Sequence, residues 1–204
     1  HGVRGSAHEV VTSGVVMQEY LAERFAGCSA VVVGSAAMVR HVRAAGLRVI
    51  AREALVAEAD VVVVAGHPDL AYRELTWAVR AAHAGAAVIA TGRDRLVPSE
   101  AGVIPGTGAA VAYVEYASGA EAVAVGKPGA DAWRIARERL GVDGSVLAVG
   151  DRLDSDVAGA VAAGLDAALV LSGVSSREDA ERWRGAKPVA VADDLGSLLG
   201  GGPG

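Results

Sequence analysis

The chain has 204 residues, 52% apolar and 21% charged, enough for a sizeable packed core and too apolar for a disordered chain. Its formal net charge of −5 argues against a nucleic-acid binder, which displays a basic face, and no apolar run approaches the roughly 20 residues that span a bilayer. The single cysteine, Cys28, excludes an intrachain disulfide framework and reads as a small buried apolar residue. With no signal-peptide pattern at the front, a cytoplasmic location is the expectation.

Aromatics are scarce, so the core must be built from Ala, Val and Leu, which favours helices packed on strands over an aromatic-rich sandwich. In chain order, residues 9–13 read as a short apolar strand ending in Thr-Ser, followed by a helix through about Phe25. Residues 29–34 read as strand, 36–45 as a helix stopped by Gly46, and 47–50 as a short strand. The unbroken valine run at 61–65 has the pattern of a strand buried on both faces. Helical spacing of Leu75, Ala78, Val79 and Ala82 predicts a helix over 70–84, and strand follows at 86–90. Beyond it come helix 108–117, strand 122–125, helix 130–140, strand 145–149, helix 155–163, strand 167–171, helix 176–184, strand 189–191 and a last short helix at 193–199. Strands and helices alternating at this spacing mean an α/β protein with mostly parallel sheets. Periodicity alone marks no domain boundary, and the closing glycine-rich residues 200–204 read as a frayed tail.

The densest chemistry is Gly150, Asp151, Arg152, Leu153, Asp154, Ser155, Asp156, directly after the strand at 145–149. Ligands of open α/β sheets bind at the carboxyl ends of strands. Carboxylates crowded there repel one another unless a cation neutralises them, and oxygen ligands of this kind suit Mg²⁺. The plainer alternative is that Asp154 or Ser155 caps the next helix while the other acids are solvated, and spacing alone leaves both open. Gly126-Lys127-Pro128 follows another strand and precedes a helix, whose first turn suits Pro128. There Lys127 is placed to meet a phosphate as a point charge, or to be an ordinary surface lysine in a turn. Pro105 to Gly108 is only half of a dinucleotide fingerprint, with Val111 in place of the third glycine. The five histidines lack metal-ligand spacing, and no Gly-x-Ser-x-Gly elbow occurs.

Taken in order, several segments resemble the haloacid dehalogenase superfamily, in the branch of p-nitrophenylphosphatases and phosphoglycolate/glycerol-phosphate and pyridoxal-phosphate phosphatases. They are Glu9 to Gly14, Ala90 to Asp94 with Pro98, Ile104 to Gly108, Ala117 to Gly119, Gly126 to Pro128, Gly150 to Asp156, and Leu171 to Val174. The resemblance runs over nearly the whole chain, and its most specific part is the Gly-Lys-Pro and Gly-Asp-Arg-Leu-x-Ser-Asp pair. It implies a Rossmann-like core, a parallel sheet flanked by helices, formed by residues 2–28 and 122–200, with an inserted α/β cap of the C2 type at 29–121. It also implies that Lys127 is the phosphate-neutralising lysine, Asp151 the catalytic Mg²⁺ ligand and Asp156 a support of the metal shell, with Asp154 facing away.

In that family a carboxylate nucleophile attacks phosphorus in line, giving an aspartyl-phosphate that water hydrolyses, while a second Asp protonates the leaving alcohol. Neither Asp-x-Asp-Gly nor the Thr/Ser-Asn-Asn loop occurs in these 204 residues, and the chain opens at His1 rather than Met. The resemblance therefore leads us to expect the nucleophile upstream of His1, or else a non-catalytic relative that binds a phosphometabolite or a partner. Substrate choice in the branch is attributed to the cap loop at 91–98. Arg93, Asp94 and Arg95 are placed to bond hydroxyls or a carboxylate, or are simply solvated loop charges. Val97 stands where relatives acting on pyridoxal phosphate have His, which points away from a pyridine ring and toward a small polyol phosphate or phosphorylated acid such as glycerol phosphate or phosphoglycolate. The expected partner is a small phosphorylated metabolite, with neither nucleic acid nor membrane. Dimerisation through the cap is compatible with its apolar helices.

Overall fold

A computed structural model of the chain describes residues 6–99 and 102–200. Residues 2–5, expected in the core, and 201–204 of the tail lie outside the described residues, as do His1, Glu100 and Ala101. The described residues divide into two compact units, one of residues 11–126 and one of residues 6–10 with 127–200.

The first unit is built on a five-stranded parallel sheet. It begins with α1 (Ser13–Phe25), β1 (Ser29–Val33), α2 (Ala36–Ala44), β2 (Arg48–Val49) and β3 (Val61–Val64). It continues with α3 (Tyr72–His83), β4 (Ala87–Ala90), a hairpin of β5 (Leu96–Ser99) and β6 (Gly102–Pro105), α4 (Thr107–Ser118) and β7 (Ala122–Ala124). Strand order is β2-β1-β3-β4-β7, every pair parallel. The valine run forms the middle strand, and Val61, Val62, Val63 and Val64 are all fully buried. Burial of each is worth about 1.5–3 kcal/mol, so the run anchors the sheet. Ala78, Ala81 and Ala82 of α3 pack on one side with Val111 and Val114 of α4.

Two segments differ from expectation here. No strand forms over 9–13: Thr12 instead caps α1, its hydroxyl accepting the Val15 amide at 3.3 Å, because a threonine ahead of an apolar helical face satisfies a free helix N–H. The β5–β6 hairpin had no clear sequence signal. It is antiparallel, with Val97 opposite Ile104, and Leu96, Val97, Val103 and Ile104 are all exposed, so no buried face imposes alternation on it.

The second unit holds α5 (Ala130–Leu140), β8 (Leu147–Gly150), a single π-helical turn (Leu153–Val157), α6 (Ala158–Ala162), β9 (Asp166–Val170), α7 (Arg177–Arg182), β10 (Ala190–Ala192) and α8 (Leu195–Leu198). Its parallel sheet has the order β10-β9-β8. Leu153, Val157, Ala160, Ala167 and Leu169 form its core, with Trp133 and Trp183 packed at the margin. The helix expected over 155–163 is thus split into a π turn and a short α-helix. Pro128 lies two residues ahead of α5, after a cis Lys127–Pro128 bond, while Gly129 takes the cap position. The boundaries expected from sequence, 2–28 with 122–200 against 29–121, separate α1 and β7 from the cap segment. In the structure α1 packs on α2, and β7 pairs with β4 from Val88 and Ala122 onward, so both belong to the 11–126 unit. No helix of the described residues is long and apolar enough to cross a membrane.

Candidate active site

Strand β8 ends at Gly150, and the chain then turns sharply through Asp151 and Arg152 into the π turn. The amides of Asp156 and Val157 both donate to the Arg152 carbonyl, at 2.9 and 3.1 Å. That widened turn folds Asp156 back over the strand end, where its carboxylate is 6% exposed. π turns of this kind recur at functional sites. A Cβ on Gly150 would lie 2.3 Å from the Asp156 Cβ, so only glycine lets the aspartate pack there.

Asp156 is doubly held. One oxygen accepts from Lys127 Nζ at 2.6 Å and the other from the Arg152 amide at 3.1 Å. A buried carboxylate needs such compensation, and here it comes from a lysine 29 residues away in sequence whose own side chain stays 52% exposed. Asp156 therefore fastens the lysine, whose side chain as a whole stays half exposed.

Asp151 is held differently. The Val174 amide donates to its Oδ2 at 2.8 Å, and the Ser175 amide donates to its backbone carbonyl at 2.9 Å. The Ser175 hydroxyl in turn accepts the Leu153 amide at 3.2 Å. A Cβ on Gly173 would fall 2.1 Å from Asp151 Oδ2, so this glycine makes room for the carboxylate. The other Asp151 oxygen takes no hydrogen bond from the described residues. A carboxylate oriented through one oxygen, with the other unengaged, is a donor suited to a hard cation that completes its shell with water and phosphate oxygens. The donor set fits Mg²⁺ on that ground, although no group of three or more acids, histidines or cysteines suited to a metal forms among the described residues.

The remaining acid of the loop, Asp154, pairs with Arg152 at 3.0 and 3.2 Å, and this guanidinium holds its carboxyl below the usual aspartate range. Arg152 stands at the cap position and makes no side-chain capping bond, so neither Asp154 nor Ser155 opens the following helix as a cap. The structure thus brings together Lys127, Asp151 and Asp156 in the second unit. Arg93, Asp94 and Val97 belong to the first unit. There Arg93 donates to both oxygens of Glu115, at 2.7 and 3.1 Å, and to the Ala122 carbonyl at 2.7 Å. That pairing raises the Arg93 pKa and lowers that of Glu115. The Asp94 carbonyl accepts the Gly108 amide at 2.9 Å. Val97 lines a cavity of about 430 Å³ with Leu70, Ile104, Thr107 and His67, whose Nε2 lies 2.8 Å from Glu74 Oε2.

The description of a HAD-hydrolase-like family matches residues 124–198, the stretch carrying Lys127, Asp151 and Asp156. An acid sugar phosphatase of Staphylococcus saprophyticus is 31% identical over 199 residues, covering 97% of this chain and 75% of the relative. The chain belongs to the haloacid dehalogenase-like hydrolases. Within that family it is similar to a D-glycerol 3-phosphate phosphatase of Mycobacterium tuberculosis, 36% identical over 97% of this chain and 56% of the relative, so it spans little more than half of that protein. Its fold matches the p-nitrophenyl phosphatase from Archaeoglobus fulgidus (TM-score 0.86, 31% identity, 98% of this chain and 77% of that one). It also matches the M. tuberculosis glycerol phosphate phosphatase solved in complex with magnesium (TM-score 0.90, 35% identity, 97% of this chain and 60% of that one). In this haloacid dehalogenase-like chain the parts that sequence reasoning left without a role are the Asp151 supports, Gly173, Val174 and Ser175. The Leu171 to Val174 segment was visible as a matching piece, but nothing local indicates that its amides face a carboxylate 23 residues earlier.

Proposed function

We propose that this chain supplies the phosphate- and metal-binding half of a Mg²⁺-dependent phosphomonoester hydrolase acting on a small phosphorylated metabolite, of the glycerol phosphate or phosphoglycolate kind. The observation that carries the reading is the Lys127–Asp156 pair at 2.6 Å beside Asp151, which keeps one oxygen unengaged. Lys127 meets the phosphoryl oxygens with a positive charge that Asp156 keeps in place, so no reorganisation is needed as charge shifts during transfer. Asp151 would hold Mg²⁺, with Asp156 supporting the site through its bonds to Lys127 and the Arg152 amide. When bound, the ion offsets charge on the transferring group and orients it. No Asp-x-Asp-Gly occurs in these 204 residues, and none of them is assigned the role of the attacking carboxylate.

Relatives support the substrate class: one is named a D-glycerol 3-phosphate phosphatase and another an acid sugar phosphatase. Val97 adds an aliphatic wall with no polar partner for a pyridine nitrogen. We assign Arg93 to holding its loop, because contact with substrate would require it to release Glu115, and keep Asp94 and Val97 as the substrate-side residues of that loop. The same reading includes a homodimer through the 11–126 unit, checked by sedimentation velocity.

The test is hydrolysis of glycerol phosphate by the intact gene product with and without Mg²⁺. Asp151→Asn should lower kcat by about 10²-fold or more and weaken the Mg²⁺ dependence. Unchanged Mg²⁺-dependent phosphate release in that variant would show that the site has been misassigned.

A further inference from the structure

A groove of about 560 Å³ opens in the second unit between residues 152–154 and 174–185, and none of Lys127, Asp151 or Asp156 lines it. Its charged lining is Arg152, Arg182 and Arg184 against Asp154 and Asp179. Both acids are already engaged: Asp154 by Arg152, and Asp179 by the amide and hydroxyl of Ser176 at 2.9 and 2.7 Å. Arg182 pairs with Glu178, an exposed partner one helical turn away, and such pairs are weak and readily exchanged. Arg184 makes no ion pair among the described residues, and its guanidinium only grazes the Glu181 carbonyl at 3.4 Å. The groove thus offers a guanidinium without a counter-charge and a second one loosely held, beside the indole of Trp183. Guanidinium forks match phosphate oxygens in pairs, and the open groove has room for a small phosphorylated molecule.

We propose that this groove is a second anion site, which binds a small phosphorylated molecule through Arg184 and Arg182 and acts on Asp151. The link to Asp151 is direct, because the groove is walled by Leu153, Val174 and Ser175, the residues whose amides and hydroxyl clamp Asp151 and its loop. A ligand that orders residues 174–175 steadies the Asp151 carboxylate, and this regulatory part rests on the role given to Asp151 above.

The probe is pyrophosphate, titrated without Mg²⁺ into the chain and followed by calorimetry and tryptophan fluorescence, with Trp183→Phe identifying the reporter. Lys127→Ala should retain groove binding, whereas Arg182→Ala with Arg184→Ala should weaken it about tenfold or more, the loss of two charge-assisted contacts. Affinity within twofold of the parent in the double variant, or loss of all binding in Lys127→Ala, overturns the groove site. The latter outcome would leave the reading of the Lys127 site standing. In Lys127→Ala, hydrogen exchange at the Val174 and Ser175 amides should slow when pyrophosphate binds. Binding with unchanged exchange there overturns the coupling to Asp151.

Discussion

Two loops of this chain leave the carboxyl end of a parallel strand, the favoured position for ligand sites, yet they use their charged residues in opposite ways. After β4, Arg93 spends its fork on Glu115 and the Ala122 carbonyl, while the Asp94 and Arg95 carbonyls take the Gly108 and Gly106 amides. Those bonds tie the loop to α4 and β7. After β8, backbone amides do the fastening: Val174 and Ser175 hold Asp151, and Arg152 holds Asp156. Lys127 adds to the hold on Asp156 with its side chain half exposed, and one Asp151 oxygen is left unengaged. In the first loop the guanidinium is committed to a carboxylate and a carbonyl of neighbouring elements, whereas in the second backbone amides orient two carboxylates and leave one Asp151 oxygen uncommitted.

The sharpest way to break this comparison is Lys127→Ala, which should lower kcat/KM of the intact gene product about 10²- to 10³-fold, read in steady-state phosphate release. Next in size, Gly173→Ala drives a methyl into the Asp151 carboxylate and should weaken Mg²⁺ binding by about 10- to 100-fold in calorimetry, with the far-ultraviolet circular dichroism unchanged. In the other loop, Glu115→Gln should cost about 1–2 kcal/mol in urea unfolding, allowing for the half-exposed guanidinium, and leave kcat within about twofold. Arg93 holds Glu115 below its ordinary value of 4.5, so this contribution is complete above that value and is lost as pH falls through the depressed folded one. The gap in urea midpoint between the parent and Glu115→Gln should therefore close on acidification below about 4.5, and a gap that widened would remove the ion pair as its cause. Smallest of all, Asp154→Asn should change stability by no more than about 0.5 kcal/mol and turnover by no more than about twofold, because its pair with Arg152 is exposed.

What the sequence determined by itself is local. The valine run has the pattern of a doubly buried strand and forms one, and the helices α2, α3 and α5 follow from apolar spacing with glycine or alanine ends. Asp151 stands out in the sequence because it directly follows the strand that ends at Gly150, whereas Lys127, three residues past β7, and Asp156, six residues past β8, are singled out by the Gly-Lys-Pro and Gly-Asp-Arg-Leu-x-Ser-Asp resemblance. Tertiary structure decided the partners. Nothing within a few residues of Arg93 indicates that it will meet Glu115 rather than a substrate, and nothing near Asp151 announces the Val174 amide 23 positions on. The same holds for the π turn that buries Asp156, whose apolar Leu153 and Val157 would serve an ordinary helical turn as well, and for the hairpin that carries Val97, whose apolar residues are exposed. Periodicity records which face a segment buries. The choice of hydrogen-bond partner is made between segments far apart in the chain, after those faces have packed.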